Sequence, residues 1–559
     1  MIHYRTANNP KLDFMEHNKF LHFIILSLVC LFAFFINGDS LFVNIMEARN
    51  FITSRDMIEH GNWLIPTMNG ELRLAKPPFP TWITALFGSM FGIDNIRMLR
   101  FPAGIMSSLL VLFGYLLSYE LHKNRKLAFL VGFVLATSFY IFFMGRTGTW
   151  DIYCHSFMLG AIWLLVKGWK GKGKQWGIIL CAGVMLGLSF LSKGPVAFYS
   201  VLLPFLITYI FLFGRKSIIN KWQPLLVGLF IFLIISFWWP AYIYFMHPEE
   251  LAAVTKLEAG SWMNRHVRPF WYYWNFPIQS GIWTLFITTC LIFPYGLKRF
   301  DEQKGYRLAL FWTLGSVILL SLLPEKKDRY LLPALLSSSF LVSYYLNYLS
   351  IVFKENKDDK WDKLLFNMNV LLIASVTFAI PFALFHFFYQ PGHLSTGQFF
   401  LISFLVEATC FLLIWAWRKK NILRALIGIA LLTATFQSLI FPHVGKIFGS
   451  NPDFRNIRKV REMTSINTLN YYSIGEGGFR IELVWEVGKD VTPWNFEQRP
   501  EIPENNAIAV FSSQLPTEIL SKEILEKIDI EVLDFYDYNR SRNGKPRFKK
   551  YVSIIMPKK

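Results

Sequence analysis

The polar stretch from Asn37 to Pro80 separates two apolar runs and carries Asp39, Glu47, Arg49, Arg55, Arg73 and Lys76. Ionisable groups at a membrane edge are costly unless they pair, bind or react. A carboxylate there can take the proton of an attacking hydroxyl, and cations can hold a departing phosphate. The same residue types recur in later polar segments. Candidate carboxylates are Asp39, Glu47 and Asp151; candidate cations are Arg49, Arg73, Lys76, Lys193, Arg268, Lys326, Lys327 and Arg329, with Tyr330 beside the last. A plainer reading stands next to each: a carboxylate can cap a helix or pair with arginine, and a lysine or arginine can snorkel to lipid phosphates.

Apolar elements must position these groups. The 559 residues are 53% hydrophobic and 17% charged, with 55 Phe, and windows of membrane-spanning length recur throughout. Thirteen spans are expected, near 20–37, 101–119, 127–144, 152–168, 176–192, 195–213, 223–246, 273–296, 308–323, 330–349, 366–387, 398–417 and 425–442. Thr81 to Gly92 follows Pro77, Pro78 and Pro80 and is too short to cross, so it reads as interfacial or re-entrant. With it left out, the N-terminus and six Lys/Arg-rich connections fall on one face, cytoplasmic by the positive-inside rule. The net charge of +19 is thereby accounted for by loops that set orientation, and no nucleic-acid partner is expected. The five cysteines lie in or beside apolar spans without paired spacing, which argues against a disulfide framework or a zinc site.

The opposite face collects Asn37 to Arg100, Gly145 to Asp151, Ser192 to Gly194, His247 to Pro269, Pro324 to Arg329 and Tyr389 to Gly397. Ile45 to His60 reads as an amphipathic helix lying on the membrane and ending at Gly61. Lys326-Lys327-Asp328-Arg329 is a cationic cluster against the topological bias, which an anionic ligand explains. His266 opens an aromatic belt and remains an ambiguous ligand or base. Beyond Asn451 the pattern changes: helical spacing at Phe454, Ile457, Val460 and Met463, alternation at Phe479/Ile481/Leu483/Trp485, short strands at Ala507 to Phe511, Ile530 to Leu533 and Tyr551 to Ile555, and a helix at Thr517 to Ile528. The expected architecture is an all-α polytopic membrane domain over 1–446, whose 37–100 segment is an external catalytic loop with surface helices. A small external α/β domain follows over 447–559.

At MEARNFITSRDMIEHGNWLIPTMNGELRLAKPPFPTW, GTWDIYCHSFML, GLSFLSKGPVAF, RPFWYY and KKDRYLLPA the chain resembles the GT-C membrane glycosyltransferases of the protein O-mannosyltransferase superfamily. The resemblance is to the bacterial branch that includes the aminoarabinose transferase acting on lipid A. It implies thirteen spans in the bacterial inner membrane, with the active site and the C-terminal domain periplasmic. It also implies a polyprenyl-phosphate-linked sugar donor and an envelope acceptor such as lipid A, a glycan or a protein. Arg49, Lys76, Lys193 and Arg329 would then meet the donor phosphate, joined by Arg268, Lys327 and Tyr330, and Asp151 matches the carboxylate of the second external loop.

The family's Asp-Glu pair reads Met46-Glu47 here, leaving Glu47 as base, with or without Asp151. Ala75 stands where a glutamate precedes the KPP lysine. His266 matches a metal-associated histidine, but with Ala75 lacking the acidic companion no divalent metal is predicted. The rival readings are a lipid-linked sugar flippase, an O-antigen ligase-type enzyme, or a non-catalytic membrane scaffold.

Overall fold

The computed structural model describes residues 18–300, 302–447, 451–475, 478–496, 498, 507–541 and 544–558. The basic N-terminal residues expected on the cytoplasmic face precede residue 18 and lie outside the described residues. The chain forms two units. One comprises residues up to Gly38, Leu74–Pro80 and Arg100–Ile440; the other comprises Asp39–Arg73, Thr81–Leu99 and Phe441 onward. This division differs from a boundary at 446: most of the first polar loop belongs with the C-terminal residues.

The first unit is helical. Among the described residues nine helices are long and apolar enough to cross a membrane, and eleven spans result if each of two bent helix pairs counts as one. Two shorter apolar helices, Lys19–Phe35 and Phe198–Phe213, accompany them. Phe211, Phe245, Phe404 and Phe411 are at least 70% exposed. Side chains of that kind can face outward only where the surroundings are themselves apolar, so the chain is a multi-pass membrane protein.

The bends have local causes. Arg125–Thr137 and Phe139–Gly145 meet at 66° because Ser138 is extended (φ −69°, ψ 126°) and Phe139 N–H turns to the Ser280 carbonyl at 3.1 Å. The expected span 273–296 is broken as well. Gly281–Leu291 and Phe293–Arg299 meet at 77°, where Pro294 supplies no amide to continue the ladder. Elsewhere packing is tight: a Cβ added to Gly183 of helix Trp176–Lys193 would collide with the Gly228 carbonyl of helix Trp222–Met246, the close approach that small residues permit between membrane helices.

The second unit carries a hairpin, β1 (Thr67–Met68) and β2 (Glu71–Leu72), and a five-stranded sheet. The sheet strands are β3 (Tyr471–Ile474), β4 (Val491–Pro493), β5 (Ile508–Ser512), β6 (Ile528–Asp537) and β7 (Lys549–Pro557), in the order β4-β3-β5-β7-β6. β3 is parallel to β4 and β5, while β7 runs antiparallel to β5 and β6. Three sequence expectations are corrected here. The alternation at 479–485 belongs to helix Ile481–Val487, because Val484 and Val487 are buried as well as Leu483 and Trp485. Gly488, at φ 80°, then stops that helix. The helix expected at 517–528 is two single turns, Pro516–Ile519 and Lys522–Leu525, before β6 begins. The helical spacing from Phe454 to Met463 yields only a 3₁₀ segment, Ile457–Glu462.

Helix Ile45–His60 forms as expected, capped by Asn44 and closed by Gly61 at φ 74°. It does not present a polar face to solvent. Ala48, Phe51 and Ile52 enter the core with Ile457, Val460, Leu483 and Trp485, and Phe51 lies 5.2 Å from Trp485, centroid to centroid. On its other flank Asn50 donates to Thr84 Oγ1 (3.0 Å) and accepts from Thr81 Oγ1 (2.7 Å), both on helix Phe79–Phe91. The apolar stripe thus buries against protein. Asn69 and Val491 clip the hairpin to β4 through two reciprocal hydrogen bonds of 3.0 and 2.7 Å.

Candidate functional site

Helix Trp150–Lys170 begins after Thr149 and places Asp151 in its first turn, where the helix dipole favours an anion. Helix Trp176–Lys193 runs back alongside it and ends at Lys193, because Gly194 adopts φ 74°, ψ −150°, a region open to glycine alone. The two helices are pinned by Ser189 Oγ, which donates to the Cys154 carbonyl at 2.8 Å. Their ends therefore meet, and Lys193 Nζ hydrogen-bonds Asp151 Oδ1 in a pair that is 7% and 3% exposed. An ion pair this dry holds its partners in one geometry.

A loop from the other side of the same unit completes the cluster. Residues 323–327 are laced to 262–273: Glu325 N–H donates to the Trp262 carbonyl (3.1 Å), Lys326 N–H to that of His266 (3.1 Å), and Arg268 N–H to that of Pro324 (3.3 Å). Tyr273 Oη both accepts from Lys327 N–H (2.8 Å) and donates to the Lys327 carbonyl (3.1 Å). These bonds fix the following turn, Asp328–Leu331, so that the Tyr330 ring stands among three cations. Lys193 Nζ lies 5.0 Å, Lys327 Nζ 5.7 Å and Arg329 Cζ 5.5 Å from its centroid. Lys327 is neutralised by Glu325. Arg329 forms no ion pair among the described residues, its Nε is buried without a hydrogen-bond partner, and it sits within electrostatic reach of Asp151 and Tyr140.

Asp151, Lys193, Lys327, Arg329 and Tyr330 thus converge. The other expected residues of the first unit make contacts of their own. Lys76 pairs with Glu258 at 3.2 Å, each partly exposed. Arg268 is exposed and covers Tyr272 at 6.0 Å. Lys326 spends its ammonium on the carbonyls of Arg268 (3.1 Å) and Leu323 (2.5 Å), so it holds the loop; burial draws its pKa below the usual lysine range. Tyr272 donates to Asp328 at 2.8 Å, and that bond followed by burial raises its pKa. His266 takes φ 51° and contributes its carbonyl to the lacing. Among the described residues no three His, Cys, Asp or Glu side chains are grouped to hold a metal.

Glu47 and Arg49 belong to the second unit. Glu47 is fully buried and completes a capping box: its Oε2 accepts from Asn44 N–H (3.2 Å) and Asn44 Nδ2 (2.7 Å), while Asn44 Oδ1 accepts from Met46 and Glu47 N–H. Asp39 pairs with Arg97 at 3.1 Å on the surface.

Two residues of the first unit escaped the sequence reading. Glu258, on helix Pro248–Asn264, gives no local sign of its distant partner Lys76. His155 does give one: it follows Asp151 at i,i+4, so the two share a helix face, and it is buried with Nδ1 unpartnered.

Comparison with known proteins adds the following. The sequence pattern of dolichyl-phosphate-mannose-protein mannosyltransferases matches residues 75–239, a stretch containing Lys76, Asp151 and Lys193. A protein of Aquifex aeolicus is 24% identical over 428 residues, 76% of this chain and 78% of that one. The undecaprenyl phosphate-alpha-4-amino-4-deoxy-L-arabinose arabinosyl transferase of Enterobacter sp. is 25% identical over 346 residues, and the match spans 60% of each protein. ArnT from Cupriavidus metallidurans, crystallised with undecaprenyl phosphate, has the same fold, with a TM-score of 0.66 over 96% of this chain and 97% of its own at 14% identity.

Proposed function

The chain belongs to the protein O-mannosyltransferase superfamily of GT-C membrane glycosyltransferases, and from that premise we propose that it moves a sugar from a polyprenyl phosphate to an envelope acceptor. The acceptor is lipid A, a glycan or a protein, met on the periplasmic side of the bacterial inner membrane. In this reading the nine long helices, two bent pairs and two short apolar helices make thirteen spans. Their basic connections face the cytoplasm.

The observation that carries the proposal is Arg329, half-buried with its Nε shut off from solvent and without an ion pair among the described residues, beside the closed Asp151–Lys193 pair and the Tyr330 ring. An anionic phosphate satisfies it. The acceptor oxygen attacks the sugar's anomeric carbon as the carbon–oxygen bond to phosphate breaks. The bond's electron pair stays on the phosphate oxygen, and the sugar carbon inverts. Arg329 and Lys193 stabilise the charge that develops on the phosphate, the step at which fixed cations lower a barrier most. Asp151, already engaged by Lys193, orients that ammonium. Lys76 exchanges Glu258 for the phosphate, and the family resemblance assigns the acceptor proton to Glu47, with or without Asp151.

The test is transfer of labelled sugar from undecaprenyl phosphate in proteoliposomes. Arg329→Ala, Lys76→Ala and Glu47→Gln are each expected to lower turnover by about 100-fold or more, the loss typical of removing one group that meets transition-state charge. Full turnover in both Glu47→Gln and Lys76→Ala removes the assignment. Mass spectrometry of envelope lipids and glycans from a deletion strain identifies the acceptor.

A further inference from the structure

The end of the first unit opposite Asp151 has charge of its own. Helix Leu332–Lys354 follows the Asp328–Leu331 turn and runs 23 residues, roughly 35 Å at 1.5 Å per residue. Its last residue is therefore about a membrane thickness away from Tyr330. There a crevice of about 240 Å³ opens, with Lys126, Lys354, Lys419 and Lys420 around it and Phe353 and Leu426 among its apolar walls.

Two of these lysines are unmatched by a carboxylate among the described residues. Lys420 pairs with Asp358 at 2.7 Å, and Asp358 also takes Lys363 at 3.6 Å. Lys354 and Lys419 have no carboxylate partner among the described residues. A soluble anion would leave the apolar walls unused. A zwitterionic lipid would leave the lysine surplus uncompensated, since its own ammonium repels it. One molecule satisfies both features: a negative head group on a hydrocarbon tail.

We propose that this crevice binds one anionic phospholipid from the leaflet at the basic end of the helices. Its phosphate sits between Lys354 and Lys419, and an acyl chain lies against Phe353 and Leu426. This inference is independent of the transfer reaction, because none of these residues belongs to the Asp151 cluster.

Native mass spectrometry of the full chain, purified and stripped of lipid, tests it with phosphatidylglycerol and phosphatidylethanolamine as probes. Wild type is expected to retain one phosphatidylglycerol with at least tenfold preference. The double variant Lys354→Glu/Lys419→Glu loses that preference, and so does Leu426→Trp, which fills the crevice and keeps every lysine. Unchanged phosphatidylglycerol retention in either folded variant overturns the proposal. Two competition outcomes overturn it as well: displacement by millimolar inorganic phosphate, which makes the crevice a plain anion site, and displacement by undecaprenyl phosphate tenfold more effectively than by phosphatidylglycerol, which makes the carrier its occupant.

Discussion

Two buried carboxylates, one in each unit, are surrounded in opposite ways. Asp151 contacts Lys193 directly and lies within the field of Arg329, so cations outnumber carboxylates there. Asp56 lies 3.7 Å from Arg55, but Asp490 takes the same guanidinium at 2.6 Å and Glu59 approaches it at 3.9 Å. The first centre can accept an added anion, while the second relieves its excess by taking up a proton. In the proposed reading the contrast separates a site for an anionic ligand from a centre that joins chain segments: Arg55 ties helix Ile45–His60 to the residue preceding β4.

The contrast is broken most directly at Lys193. Lys193→Ala leaves Asp151 buried without its pair, and loss of about 3 to 5 kcal/mol of stability is expected. The double replacement Lys193→Met/Asp151→Leu removes both charges and is expected within about 1 kcal/mol of wild type, since matched apolar pairs substitute for buried ion pairs. Both variants lose transfer. Denaturant unfolding in detergent, read beside the transfer assay, separates the two effects. A double variant as unstable as the single one would mean that Lys193 supports the fold by packing rather than by charge.

The helical part of this arrangement was legible because membrane-length apolar runs and basic connections carry their own signal, independent of what packs against them. Lys193 and Arg329 stood out for the same reason, as charges interrupting apolar sequence. Glu258 did not, because its partner Lys76 is 182 residues away and nothing local records the pairing. The second unit misled in a different way. The alternation at Phe479, Ile481, Leu483 and Trp485 fits a strand, yet Val484 and Val487 are equally buried, and continuous burial is compatible with a short helix. The membrane-surface reading of helix Ile45–His60 failed because an amphipathic stripe specifies an apolar partner without naming it, and the partner is the core around Ile457 and Trp485.

The Asp56 centre gives the next prediction. Burial, followed by Asp490, raises the Asp56 pKa to about 6. A carboxyl whose folded pKa lies above its unfolded one near 3.9 contributes most to stability when protonated in both states. That contribution declines as pH rises between the two values and is gone above about 6. Asp56→Asn abolishes the dependence while keeping an oxygen to accept the Thr67 hydroxyl, 3.2 Å away in the wild type. The variant is expected to melt above wild type at pH 8 and to converge with it near pH 4. Parallel melting curves across that range would show that Arg55 fully compensates both aspartates.

The smallest stability effect expected is at Glu47, where capping and chemistry occupy one side chain. Glutamine also completes a capping box, so Glu47→Gln keeps the bonds to Asn44 N–H and removes only the base. Glu47→Ala removes both, at a stability cost of roughly 1 kcal/mol, the scale of losing one helix-terminal cap. The two variants should therefore be equally inactive in transfer and differ only in unfolding midpoint. If glutamine restores turnover that alanine lacks, Glu47 acts through the helix it caps and the proton goes elsewhere. Asp151 would then be the carboxylate to examine, with its attachment to Lys193 loosened by the arriving phosphate.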